Sequence, residues 1–181
     1  MGLRLDDLDE QTRSFMLEEL EHDLSLGDRE VPYRSKYLTA AGRERYPMLL
    51  REAIEHGNDD SLGQALRSVG IFADTYEKRK PKGGFTSAKV PYTAHETLAE
   101  GEFNRFYLRG LCQRIIASGA GTVEVYRARA SANPRAESEA MIGRQLEPET
   151  LLADLRDNTF VDNALHLPPG PNSGLSGRIA E

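Results

Sequence analysis

The sequence predicts an α+β fold, predominantly α-helical, in which several short helices and one long central helix pack on a small β-sheet. Three observations predict it. Between Thr93 and Ser118, Phe103, Tyr107, Leu111 and Ile115 recur at every fourth position, the spacing at which side chains share one helix face. Gly119 and Gly121 separate this run from Thr122-Val-Glu-Val-Tyr-Arg-Ala-Arg129, whose alternation has the period of a half-buried strand. Elsewhere, apolar stretches of helical period are short and are cut by Gly27, Pro32, Pro47, Gly57, Gly70 and Gly143, residue types that punctuate helices.

In chain order, Asp6 or Asp7 caps a first helix over residues 8–24, with Asp9 and Glu10 at the positive end of its dipole. Leu8, Met16, Leu17, Leu20 and Leu24 form its apolar stripe, and Phe15 lies at the edge. Glu18, Glu19, Glu21 and Asp23 are assigned to the remaining, outward surface. Residues 26–36 read as a loop broken by Gly27 and Pro32, its exit framed by Tyr33 and Tyr37. A short helix follows Thr39. Pro47 starts a new helix or kinks the old one, because proline suits a first turn and breaks an interior. Met48, Leu49, Ala53 and Ile54 are its inward residues and Gly57 its stop. Asn58-Asp59-Asp60 caps a helix over 61–69 that buries Leu62, Ala65, Leu66 and Val69. As a DNA-reading helix-turn-helix this pair offers only Arg67, so it reads as a packing hairpin.

Residues 73–92 read as an exposed basic loop, punctuated by Pro81, Gly83, Gly84 and Pro91, with a short strand over 84–90. Thr93 and Glu96 have the spacing of a capping box. In the long helix Phe106, Cys112 and Ile116 widen the stripe and Leu108 flanks it. In the strand after it Val123 and Val125 share one face, Glu124 and Tyr126 the other. Asn133-Pro134 opens a short helix through Met141. Glu147-Pro148 opens another, with Leu151, Leu152 and Leu155 inward. Residues 174–179 read as an edge strand or a docking tail. The predicted division is a helical region 1–72, a basic flexible loop 73–92, an α+β core 93–165 and a Pro/Gly-rich tail 166–181, together one domain.

Charge is distributed unevenly. The net charge is −6 and the pI near 5.3, which argues against a general polyanion binder. Residues 1–30 hold ten acidic and three basic side chains, whereas residues 73–92 set Lys78, Arg79, Lys80, Lys82 and Lys89 against Asp74 and Glu77. Asymmetry of this kind orients a protein on a partner or pairs one copy with the next. Cys112 is the single cysteine, so no intramolecular disulfide forms, in keeping with a reducing compartment. No apolar run reaches the length of a membrane span, and the acidic start lacks the core of a signal peptide.

No catalytic constellation is legible. His22, His56, His95 and His166 never stand three or four residues from another His or Cys, so metal-ligand spacing is missing. Cys112 falls within an apolar stripe, where cysteine behaves as a small hydrophobe. Lys80-Pro81-Lys82-Gly83-Gly84 lacks the order of a P-loop. The expectation is therefore no catalytic, cofactor or metal residues. The binding residues predicted, for nucleic acid or a protein partner, are Lys78, Arg79, Lys80, Lys82, Arg105 and Arg109. The two helix arginines are assigned one turn apart to the polar face of the long helix, with Arg127 or Arg129 nearby. Phe85 and Tyr92 supply stacking surfaces. The alternative placement pairs Arg105 with Glu102 instead.

The run Lys89-Val-Pro-Tyr-Thr-Ala-His-Glu-Thr-Leu-Ala-Glu-Gly-Glu-Phe-Asn-Arg-Phe-Tyr-Leu-Arg-Gly-Leu-Cys112 resembles uncharacterised proteins associated with bacterial, phage and prophage sequences. Val125-Tyr-Arg-Ala, Pro134-Arg-Ala-Glu-Ser-Glu139 and Leu167-Pro-Pro-Gly-Pro-Asn-Ser-Gly-Leu175 add to the resemblance. It brings no assigned activity and implies a mobile-element context. The function expected is a non-enzymatic structural or assembly protein of a virion or complex, cytoplasmic or in the virion, with protein partners or self-assembly and no membrane partner. Nucleic-acid binding through the basic residues is the first alternative. A small enzyme whose site assembles from dispersed segments is the second, and its signature is a concave pocket gathering titratable groups.

Overall fold

A computed structural model describes residues 2–27, 35–131, 133–158 and 173–180. Pro32, Tyr33, His166 and the proline-rich run at 167–172 lie outside the described residues. The elements follow the order α1 (Glu10–Ser25), α2 (Ala40–His56), α3 (Asp59–Leu66), β1 (Thr75–Arg79), β2 (Phe85–Lys89), α4 (Ala94–Ser118), β3 (Thr122–Arg127), α5 (Ala136–Glu139), β4 (Gln145–Leu146), α6 (Pro148–Asp157) and β5 (Leu175–Ala180). The architecture is α+β and predominantly helical, with the 25-residue α4 at its centre.

α4 is enclosed because α1, α3 and α6 pack along it and β5 lies against it. Every residue from Glu102 to Cys112 is buried. Phe103, Phe106, Tyr107, Leu108 and Leu111 are fully so. A helix buried on all sides belongs at the centre of a layered domain. Gly119 ends it in the left-handed region (φ 71°), its N–H donating to the carbonyls of Ile115 and Ile116. The capping box is absent. Thr93 sits at φ −90° and ψ 5° rather than in an extended conformation, so its hydroxyl is not presented to the N3 amide.

The first helix begins at Glu10, capped by Asp9, whose carboxylate accepts from the Thr12 N–H at 3.0 Å. Asp6 and Asp7 lie before it. Asp7 instead accepts from the Ile179 N–H and gives its own N–H to the Tyr107 hydroxyl. α2 runs unbroken through Pro47 from its Thr39 cap, so the proline neither starts nor divides a helix. Arg13 closes the far end of α2, donating to the carbonyls of Ile54 and, at 2.9 Å, Gly57. α3 stops at Leu66, and Val69 is exposed rather than inward.

The three-stranded sheet has the order β4-β3-β5 and is antiparallel throughout. Val123 and Val125 of β3 are fully buried towards α4, as their alternation predicts. The segment at 174–179 proves to be an edge strand, β5. Its free edge is occupied by side chains: Leu175 and Gly177 carbonyls accept from Asn104 and Tyr107, and the Ile179 N–H donates to Asp7. That arrangement leaves little backbone for a foreign strand to pair with.

Residues 73–92 differ from the predicted loop. β1 and β2 pair in register from Thr75↔Lys89 to Arg79↔Phe85, forming a second, two-stranded sheet. Lys80 N–H donates to the Gly84 carbonyl at 2.9 Å, and Gly83 and Gly84 both take positive φ (90° and 78°), which closes the turn. β2 falls within the short strand expected at 84–90, whereas β1 escapes a pattern-based reading because the hairpin has almost no apolar face. Only the opposed pair Tyr76 and Ala88 is half-buried, and Tyr76 rests edge-on against Tyr37 with ring centroids 4.8 Å apart.

Candidate functional site

The six predicted binding residues fall into two groups that the structure does not bring together. Arg105 and Arg109 are fully buried, which overturns their assignment to an outward face. At 100° per residue, Arg105, Arg109, Cys112 and Ile116 fall on one stripe of α4 with Phe106 to its side, and the packing of α1 and α6 along α4 covers the arginines. Both guanidinium groups lie 4.9 Å from the Phe106 ring centroid.

Their partners are carboxylates that the sequence reading placed outward. Thr12, Met16, Glu19, Leu20 and Asp23 form the buried face of α1. Arg109 Nε donates to Glu19 at 2.8 Å, and its two terminal nitrogens grip Asp23 in bidentate fashion at 2.8 and 2.7 Å. Gln113 and Arg156 also donate to Glu19. Arg105 donates to Glu102 at 3.2 Å and to the Leu155 carbonyl at 3.3 Å, and lies 3.5 Å from Asp23. The Arg105–Glu102 pairing is thus the arrangement observed. Gly110 brings the α1 carboxylates within reach: a Cβ there would stand 2.9 Å from both the Met16 amide nitrogen and the Thr12 carbonyl. Only glycine lets the α1 backbone come this close.

Charge is balanced by geometry. Burial pushes Glu19 up, but hydrogen bonds from Arg156 and the Arg109 charge outweigh it and hold its carboxyl at about 2. Burial likewise raises Glu102, and there Arg105 does not fully offset it. Burial lowers Arg109, yet the bonds to Asp23 leave it above its ordinary value. The network joins α1, α4 and α6, and it is internal. Arg127 and Arg129 are engaged as well, with Glu139 and Glu100 respectively.

Lys78, Arg79, Lys80 and Lys82 are placed oppositely. All four are exposed on the hairpin, and none takes part in an ion pair among the described residues. By strand alternation Thr75, Glu77, Arg79, Phe85, Ser87 and Lys89 share the outer face, away from Tyr37. Phe85 is 64% exposed and Tyr92, just beyond β2, is 90% exposed.

A separate cleft of about 500 Å³ opens between α3 and the start of α4. It gathers Asp59, Asp60, Arg67, His95, Glu96 and Glu100, with Arg129 at its margin. Asp59 is buried, which raises its carboxyl, and its Oδ2 accepts from the Leu3 N–H at 3.0 Å. The Gly2 N–H donates to Asp60 at 2.8 Å. His95 Nε2 lies 3.6 Å from Glu96. The sequence signal for this cleft was the acidic cap 58–60; nothing in it pointed to His95 as its neighbour. On α2, exposed Glu52 and His56 and half-buried Glu55 bring three ligand-type atoms within 4.8 Å of one another, a grouping that His and Cys spacing alone does not reveal. Cys112 is buried, and that burial pushes its thiol up, away from the thiolate a nucleophile needs. No helix among the described residues is long and apolar enough to cross a membrane.

Neither a known protein family, nor a curated protein, nor a solved structure matches this chain.

Proposed function

We propose that the protein works by binding, as a non-enzymatic interaction or assembly protein, and that the basic hairpin is the element that grips an anionic partner. The observation that carries this reading is the hairpin itself. Two strands with almost no buried face gain little from folding alone. Its four cations Lys78, Arg79, Lys80 and Lys82 are exposed and take part in no ion pair among the described residues. Residues outside 73–92 carry the whole acidic excess, so a second copy of the chain offers one complementary surface. A complex of phage or prophage type is the setting that the sequence resemblance implies.

Retention on an immobilised polyanion, eluted by rising salt, tests the proposal against a K78A/R79A/K80A/K82A variant. Wild type is expected to be retained and the variant to pass through. Light scattering at increasing concentration then reads whether the partner is another copy. Equal retention and equal mass for the two proteins would discard the hairpin as contact element.

A second reading, a small enzyme with its site in the cleft, is favoured by the meeting there of a buried, raised carboxyl with His95 and Arg67. Its test is a thermal-shift panel of small polar metabolites. A ligand that raises the melting temperature of wild type and not of His95→Ala or Arg67→Ala supports it, and an unresponsive wild type counts against it.

A further inference from the structure

We infer that the tip of the hairpin binds single-stranded nucleic acid, with Phe85 as a platform on which one base stacks and Arg79, Lys80 and Lys82 holding the phosphates on either side. The inference rests on the reading of the hairpin as contact element and adds the chemistry of its partner.

Arg79 and Phe85 are directly opposed in the last strand pair before the turn, on the outer face. Opposed residues of an antiparallel ribbon hold their Cβ atoms about 5 Å apart, so the two side chains leave the ribbon as neighbours on its outer face. Phe85 is 64% exposed. Lys80 and Lys82 follow within the five-residue connection to Gly84, and Gly83 and Gly84 add no side chains that would cover the ring. An apolar ring ringed by cations matches a ligand that alternates flat apolar faces with negative charge. A nucleic-acid strand does so at every nucleotide.

Two features select a single strand. In a duplex the base faces are already stacked, so Phe85 would find only edges and phosphates. The remainder of the molecule is acidic, so a rigid duplex lying along it would meet repulsion, whereas a flexible strand can be taken by the projecting tip alone. An acidic protein surface would neutralise the cations but leave the exposed ring without use. At the other end of β2, beyond Lys89, Tyr92 offers a second exposed ring to a longer strand.

Fluorescence anisotropy with labelled oligothymidylate, the matching duplex and inorganic polyphosphate decides the matter. Wild type is expected to bind the single strand more tightly than either competitor. Phe85→Ala should weaken single-strand binding by about 5- to 100-fold while leaving polyphosphate binding unchanged. The K78A/R79A/K80A/K82A variant should lose all three and flatten the salt dependence. Because these residues are exposed, unchanged melting curves will show that the variants fold. If polyphosphate binds through the lysines but the single strand binds no better and ignores Phe85→Ala, the inference falls and the hairpin reading stands. If wild type binds none of the three, both fall.

Discussion

Two sets of cations in this protein began with the same apparent role and ended in opposite environments. Arg105 and Arg109 ride on α4, surrounded by Phe106, Cys112 and Ile116, and are satisfied by Glu19, Asp23 and Glu102. Lys78, Arg79, Lys80 and Lys82 ride on a ribbon with one half-buried pair and meet no carboxylate among the described residues. The difference lies in the element that carries each charge. A helix enclosed by three others must bury whatever its sequence places on it, and buried charge survives only with partners. A hairpin without an apolar face leaves its charge in water. Positive charge therefore serves cohesion in one region and stays exposed to water in the other.

Breaking the buried set should have the largest effect. Arg109→Ala strands Glu19 and Asp23 without their central partner and is expected to cost about 3–5 kcal/mol, read as a lower urea midpoint at unchanged slope. A fall of a few tenths would mean the network is far better hydrated than its burial implies.

Glu19→Gln comes next, because it keeps the shape and removes the charge. At neutral pH a loss of about 1.5–3 kcal/mol is expected. The sign with pH follows from the shift. Glu19 titrates at about 2 when folded and near 4.5 when unfolded, so its contribution is present above 4.5 and fades as pH falls towards 2. Glu102, raised by burial, works in the opposite direction and is relieved by protonation. Unfolding curves across the acid range should show a steep decline in wild type and a shallower one in Glu19→Gln.

Gly110→Ala tests the same contact without touching a charge. Alanine favours a helix interior by about 1 kcal/mol, but its Cβ would press on α1 backbone atoms 2.9 Å away. The net expectation is destabilisation by about 1–3 kcal/mol with loosened α1, visible as faster amide exchange in residues 12–23. Neutral or raised stability would show that α1 can retreat freely.

The smallest effect belongs to the hairpin. Each alanine at Lys78, Arg79, Lys80 or Lys82 should change stability by no more than about 0.5 kcal/mol, while polyanion retention disappears. A large stability loss would mean these cations are structural after all, and the contrast between the regions would collapse.

Much of the scaffold was legible because its signals are local. The stripe Phe103-Tyr107-Leu111-Ile115, the left-handed Gly119, the Val123/Val125 alternation and the Pro148 helix start each depend on neighbours a few residues away. Glu19 and Asp23 were misplaced for a specific reason: they share a face with Met16 and Leu20, yet charge alone assigned them to water. The clue was present in the matching four-residue spacings of Glu19/Asp23 and Arg105/Arg109, which suit two helices pairing charge across one interface. The hairpin was half-seen, since its glycine pair and its second strand were visible but its first strand lacks apolar alternation. The cleft was not visible at all, because Asp59, His95 and Arg129 meet only when α3 docks on α4.

The sequence by itself determined the α+β class, the long central helix with the strand that follows it, and the concentration of positive charge in residues 73–92. Periodicity, glycine conformation and charge counts are properties of short segments, so they need no knowledge of what lies opposite. Only the tertiary structure decided which charges are spent inside and which are offered outside. That choice depends on helix docking, and Gly110 permits an approach of α1 that turns two acids and two arginines into one buried network.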